Sequence, residues 1–383
     1  MEKYIIALKE IGVKDKIILD IIKQCPVSLI QEVFENNSIE ICMSNIALSQ
    51  CAFFFKDKER VAMGLEQAES LLNKNKKYNI KTVVYGGKGY PERLKSLQDP
   101  PVILYYKGDS INELCDRSVA CVGTRKPTKF SYQSINYLVP QWVNEGITII
   151  SGLAMGVDTL THISSLAAKG RTAAVLAHGL DVIQPKKNEK LADEILKYGG
   201  ALISEYPIGT PAENFRFVNR NRIIVGLSKA VMVFECSQKS GTMHSIEYAQ
   251  KQHKPIFCPS VGEEISEEKT GLLYLLNNNI AYPIPDGNSY DVLLKAIGYE
   301  VQKKSMATLE IKIMYIKALL WNIGLQKAEQ RMKKSLEDEF KLKNIPTLNM
   351  EGELLNYIIC SMKQNQIDIN LMIENLVKVL IPR

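Results

Sequence analysis

Val119-Ala-Cys-Val-Gly-Thr-Arg-Lys-Pro-Thr128 is the stretch whose reading decides the fold. Small and apolar residues run into Gly123, then come a hydroxyl and two cations, and a helical pattern sets in near Ser131. That order describes a buried parallel strand opening through a glycine turn onto a helix N-terminus. Unpaired backbone N–H groups and the helix dipole favour an anion there, and Arg125 and Lys126 add full charges. A surface turn carrying two solvated cations is the competing reading, since a short glycine turn is a weak motif.

The flanking sequence repeats the pattern. Apolar segments at 147–150, 172–177, 201–204, 230–235 and 255–258 predict further strands, with helices between them such as Ser134–Glu145 and Asn188–Tyr198. Apolar strands at this spacing predict a mostly parallel sheet covered on both faces. Upstream, Thr82–Tyr85 and Val102–Tyr106 read as two more strands, punctuated by Gly86, Gly87, Gly89 and Pro91. Residues 1–80 carry only helical spacing, broken at Gly12, and 300–383 return to it through Leu309, Ile313, Ile316, Leu320 and Ile323. Three parts are therefore expected: a helical module at 1–80, an α/β domain at 81–290 and a helical module at 300–383.

Ligands of open α/β sheets bind beyond the strand C-termini, so the residues after each strand are the candidates. They are Gly123, Thr124, Arg125 and Lys126; Ser151–Asp158 with His162; His178, Asp181, Lys186 and Lys187; and Ser204–Pro207. Phe215-Arg-Phe-Val-Asn-Arg-Asn-Arg222 follows, then Ser240, Gly241 and Thr242 opening a helix. Arg216, Arg220 and Arg222 with Asn219 and Asn221 form a dense phosphate-gripping set, and Phe215 and Phe217 beside them suit stacking on a base. Arginines paired with Glu205 or Glu213, and phenylalanines in the core, are the alternative.

Composition bounds the class. The 383-residue chain has a formal net charge of +6, compatible with nucleic acid but not diagnostic of it. No apolar run approaches the ~20 residues of a membrane span, and Met1–Leu8 reads against a signal peptide. The eight cysteines form no Cys-x-x-Cys pair, which points to core thiols in a reducing cytoplasm and away from zinc. The four histidines pair with no nucleophile in the pattern, so a binding protein is expected rather than an enzyme.

With these residues in view, the chain resembles the DNA-processing protein A (DprA/Smf) family. The likeness rests on Val119–Thr128, Ile150–Asp158 with His162, Thr172–Leu176 with Gly179–Asp181, Leu202–Pro207 and Arg220–Ser228, and upstream on Tyr90-Pro91 and Pro101–Asp109. It implies an extended Rossmann-like domain that binds single-stranded DNA in a basic pocket, dimerises through that domain and needs no cofactor. It further implies protection of incoming strands and loading of the RecA recombinase during natural transformation. Gly123, Thr124 and Arg125 fall on the family's phosphate site; Phe217, Arg220, Asn221 and Arg222 fall on its strand-binding segment. This chain departs from the family at Val218 (a proline there), at Ser240–Ile246 and at Cys258–Ser260, and its tail has no clear recognition helix for a winged-helix module.

Two other functions stay open. One is a nucleotide sensor or phosphoribohydrolase on a related sheet, like the LOG family, with Thr124, Arg125 and Ser240 holding phosphate and Asp158 a ribose hydroxyl. That family's Gly-Gly-x-Gly-Thr-x-x-Glu is matched only by Ser240-Gly-Thr242, with Glu247 at the wrong spacing. The other is a scaffold of a phage-defence or mobile-element system with a vestigial pocket.

Overall fold

A computed structural model describes residues 1–261, 266–284 and 293–298. The expected helical module at 300–383 lies outside the described residues. The chain opens with helices α1 (Glu2–Glu10), α2 (Asp15–Gln24), α3 (Val27–Asn36), α4 (Ile39–Ser44), α5 (Ile46–Ser49) and α6 (Lys58–Lys77). Helix α6 is capped by Asp57, which accepts from the Arg60 N–H at 3.0 Å, and it ends on Lys74, Lys76 and Lys77, each sign matching its end of the dipole.

The sheet strands are β1 (Lys81–Val84), β2 (Ile103–Gly108), β3 (Ser118–Val122), β4 (Thr148–Ser151), β5 (Thr172–Leu176), β6 (Ala201–Ser204), β7 (Ala230–Val233), β8 (Ile256–Pro259) and β9 (Tyr282–Ile284). Between them run α7 (Glu92–Lys95), α8 (Ile111–Asp116), α9 (Lys129–Asn144), α10 (Val157–Ala167), α11 (Glu189–Lys197), α12 (Asn214–Asn219), α13 (Asn221–Leu227), α14 (Thr242–Lys251) and α15 (Thr270–Asn277). The spatial order is β1-β2-β6-β5-β4-β3-β7-β8-β9. Pairing is parallel from β6 to β9, whereas β2 joins both β1 and β6 antiparallel. The expected strands are all present within a few residues. Strand β9 was not anticipated; its three residues include a proline and leave too short a pattern to read.

Alternation along the central strands builds two cores. Val119 and Cys121 of β3 and Ala230 and Met232 of β7 face one, with Leu138 and Trp142 of α9. Ala120, Val122, Val231 and Val233 face the other, as period-two geometry requires. That second core is continuous with Ile5, Ile18, Phe55 and Val61, so the N-terminal helices pack on the antiparallel edge of the sheet. The order of connection reverses at β3: the chain steps outward through β4, β5 and β6, then returns to place β7 against the other side of β3. Crevices for ligands open beyond the strand C-termini at such a reversal.

Candidate nucleic-acid interface

The turn after β3 is locked from three sides. A side chain at Gly123 would put Cβ 2.6 Å from Val157 Cγ2 and 3.0 Å from the Glu235 carbonyl. The Thr124 N–H donates to that carbonyl at 2.7 Å, and the Thr124 carbonyl accepts from the Val157 N–H at 3.1 Å. Gly156 has φ +88° with its Cβ position 2.4 Å from the Thr124 carbonyl, so only glycine lets the turn before α10 close on the turn after β3. From this fixed backbone the side chains of Arg125 and Lys126 project into solvent. The Arg125 guanidinium lies 5.5 Å from the centre of the half-buried Phe217 ring, a cation–π contact that aligns charge and aromatic face.

The N-terminus of α9 is met by a carboxylate of the protein itself. Glu235, fully buried just beyond β7, accepts from the Thr128 N–H at 2.9 Å, the Thr128 hydroxyl at 2.6 Å and the Ser131 hydroxyl at 2.5 Å. Thr128 Oγ1 in turn accepts from the Phe130 N–H at 3.3 Å.

The arginine-rich segment divides sharply. Arg216 is held by Glu213 at 3.3 Å and by the Pro211 carbonyl, between the rings of Tyr206 and Phe215, each centred 5.2 Å away. Arg220 is only 4% exposed; it donates to the Val175 carbonyl at 2.8 Å and faces Asp158 at 3.7 Å. Its guanidinium fills the space where a Gly152 side chain would stand, 1.4 Å from that Cβ position. Arg222 is bound to Glu205 at 2.5 Å and approaches Asp99 at 3.6 Å. Arg222 and Arg216 thus take the glutamate partners of the alternative reading, Glu205 and Glu213, and Arg220 is paired with Asp158, so these arginines do not stand free as a phosphate-gripping set. Asn221 is half-buried, Asn219 is exposed, and Phe215 is 54% exposed.

Burial raises the Asp158 carboxyl above the ordinary aspartate range, against the opposing pull of Arg220 and the Ala154 N–H. Burial, and then the Arg220 charge, pushes His162 down to about 3. The Thr172 hydroxyl donates to the Ile149 carbonyl at 2.7 Å, so His162 Nδ1 must be the donor in its 2.7 Å contact with Thr172 Oγ1. His162 is a neutral core imidazole. Asp158 is turned to Arg220, not to a crevice where a ribose would lie.

Lys186 and Lys187, both exposed, follow β5 on the same rim. Their turn is anchored by Asn188, whose amide donates to the Leu153 carbonyl at 2.9 Å and the Thr159 hydroxyl at 2.8 Å. Ser240 and Gly241 lead into α14 with Gly241 exposed and Thr242 buried. The structure therefore brings Thr124, Arg125 and Phe217 together at the reversal, and sets Lys186–Lys187 and Ser240–Thr242 on the same C-terminal side of the sheet. Sequence reasoning gave no individual role to Glu235, nor to Gly152 and Tyr206 within the candidate stretches that contain them. Each follows or flanks a strand end, but only the fold reveals what it touches. No helix of the described residues is long and apolar enough to cross a membrane.

The family described as DNA recombination-mediator protein A matches residues 81–295. The DNA processing protein DprA of Bacillus subtilis is 40% identical over 179 residues, 47% of this chain and 60% of the relative. Its namesake from Streptococcus pneumoniae is 39% identical over 169 residues, 44% and 59% of the two chains. The matched segment spans about three fifths of the length of these relatives. Among solved structures, DNA processing protein A of Helicobacter pylori, described for its single-stranded DNA binding mode, aligns with a TM-score of 0.50 at 33% identity over 56% of this chain and 96% of that one. The Streptococcus pneumoniae protein aligns with a TM-score of 0.61 at 28% identity over 79% and 99%.

Proposed function

The chain belongs to the DNA recombination-mediator protein A family, and from that premise we propose that it is a single-stranded DNA-binding protein rather than an enzyme. The strand runs along the C-terminal rim of the sheet. Its phosphates are neutralised by Arg125, Lys126, Lys186 and Lys187, with Ser240, Gly241 and Thr242 flanking the path, and a base stacks near Phe217. The observation that carries this reading is the pair formed by exposed Arg125 and half-buried Phe217 at the sheet's reversal. One cation and one aromatic face, held in register by the locked Gly123–Thr124 turn, suit a polymer that offers phosphate and base in alternation. In this reading Arg220 and Arg222, with Asn221 between them, brace the rim from behind by tying α13 to Val175, Asp158 and Glu205.

By the same family reasoning, the protein protects incoming strands in the cytoplasm and assists RecA loading in natural transformation or recombination, acting as a homodimer. The division at 1–80, 81–290 and 300–383 assigns strand binding to the middle part. Filter binding of labelled oligo-dT at two salt concentrations tests the core of the proposal. Arg125→Ala should weaken binding and flatten the dependence on salt by about one unit of slope, the signature of one lost phosphate contact. Equal affinity and slope in variant and wild type would overturn it. The nucleotide-handling reading has less support, because Asp158 is committed to Arg220.

A further inference from the structure

In doubly wound folds the N-terminus of the helix after the first strand at the reversal is where a nucleotide phosphate commonly rests, because backbone donors and dipole converge there. Here that place is taken. Glu235 reaches across from the end of β7 and presents one oxygen to the Thr128 hydroxyl and the other to the Thr128 N–H and the Ser131 hydroxyl. It is fully buried. In the turn beside it the Thr124 N–H is used by the Glu235 carbonyl and the Lys126 N–H donates to Thr124 Oγ1 at 3.1 Å. A phosphate arriving here would meet a like charge, with the N–H groups of Thr124, Lys126, Thr128 and Phe130 already engaged. Displacing the carboxylate would leave it buried without partners.

We propose that Glu235 is a specificity-determining residue: its carboxylate is the built-in occupant of the α9 N-terminus, so the phosphate of a free mononucleotide is refused there. Phosphates are left to the exposed cations of the rim, whose spread along the sheet edge rewards a strand over a single nucleotide. The consequence for DNA rests on the strand-binding reading; the plugged helix end does not.

The test uses the full chain with formate, chloride and adenosine monophosphate as probes. Wild type should show no saturable rise in thermal midpoint with adenosine monophosphate beyond that caused by chloride at equal ionic strength. Glu235→Ala should melt about 5 °C lower, and formate, small enough to enter the vacated space, should restore at least half of that loss while chloride does not. Two results overturn the inference: formate acting no better than chloride on Glu235→Ala, or a saturable nucleotide-induced rise in wild type that disappears in Thr128→Val. Should Glu235→Ala fail to fold, Glu235→Gln keeps the shape without the charge, and a midpoint equal to wild type refutes the proposal. Oligo-dT binding by wild type is read separately, so its absence would sink the functional reading while the formate and nucleotide arms still decide this one.

Discussion

The two rims of the sheet both carry cations, and they use them in opposite ways. Beneath the starts of β3, β7 and β8, Arg93 donates to the Asp116 carbonyl at 3.1 Å, Lys254 to the Ser228 carbonyl at 2.8 Å and Lys229 to the Ile297 carbonyl at 3.2 Å. Those carbonyls end α8, cap α13 and close the helical turn at 293–296. Each cation answers the negative end of a helix dipole. At the other rim the helices begin; Glu235 occupies the start of α9 and acidic partners hold Arg216, Arg220 and Arg222, while Arg125, Lys126, Lys186 and Lys187 face solvent. A count of basic residues does not distinguish the rims. The direction of the helices does: at one rim cations answer helix C-termini, and the other is the rim along which the strand is proposed to run.

The contrast can be broken in several places. Gly152→Ala should have the largest effect. Its Cβ would occupy the space of the Arg220 guanidinium, forcing a buried cation away from Val175 and Asp158 and stranding the carboxylate. A loss of about 3 kcal/mol is expected, measured by urea unfolding; a near-neutral result would mean that Arg220 does not brace the rim. Arg125→Ala should leave unfolding unchanged and weaken oligo-dT binding about tenfold, in line with a lost phosphate contact and its cation–π support.

Lys229→Gln should reverse that pattern, costing about 0.5 kcal/mol of stability through the lost dipole partner with oligo-dT affinity intact. If it weakened DNA binding as much as Arg125→Ala, the distinction between the rims would fail. A pH dependence adds a further test at the same rim. Burial, then repulsion from Arg93, pushes Lys254 down to about 8. Its folded pKa lies below the unfolded one, so between about 8 and the ordinary lysine value the unfolded state binds more protons and stability rises with pH. Denaturant titrations across that window should show the rise in wild type and a flatter profile in Lys254→Gln.

Much of this was readable beforehand. Strands such as 172–177 and 201–204 announce themselves because both faces are buried and every residue must be apolar or small. The Gly123-Thr-Arg125 turn was legible because only glycine admits the close approach of Val157. The arginines were misleading in a specific way. Arg216, Arg220 and Arg222 look alike as letters, yet Arg220 is nearly inaccessible, Arg222 is tied to Glu205, and Arg216 is stacked between two rings. Glu213, three residues before Arg216, and Glu205 were nameable as partners from the sequence, whereas Val175 and Asp158, which hold Arg220 from 45 or more residues away, were not.

Residue order alone was enough to establish an α/β chain with helices before its sheet and a cationic turn at a strand end. Periodicity and glycine placement are local steric facts that survive without coordinates. Which charges remain free, which strand turns antiparallel at the β2 edge, and which carboxylate occupies the start of α9 depended on tertiary structure. Electrostatic availability is set by what stands within a few ångströms, and the fold draws those neighbours from residues as far apart as Thr128 and Glu235.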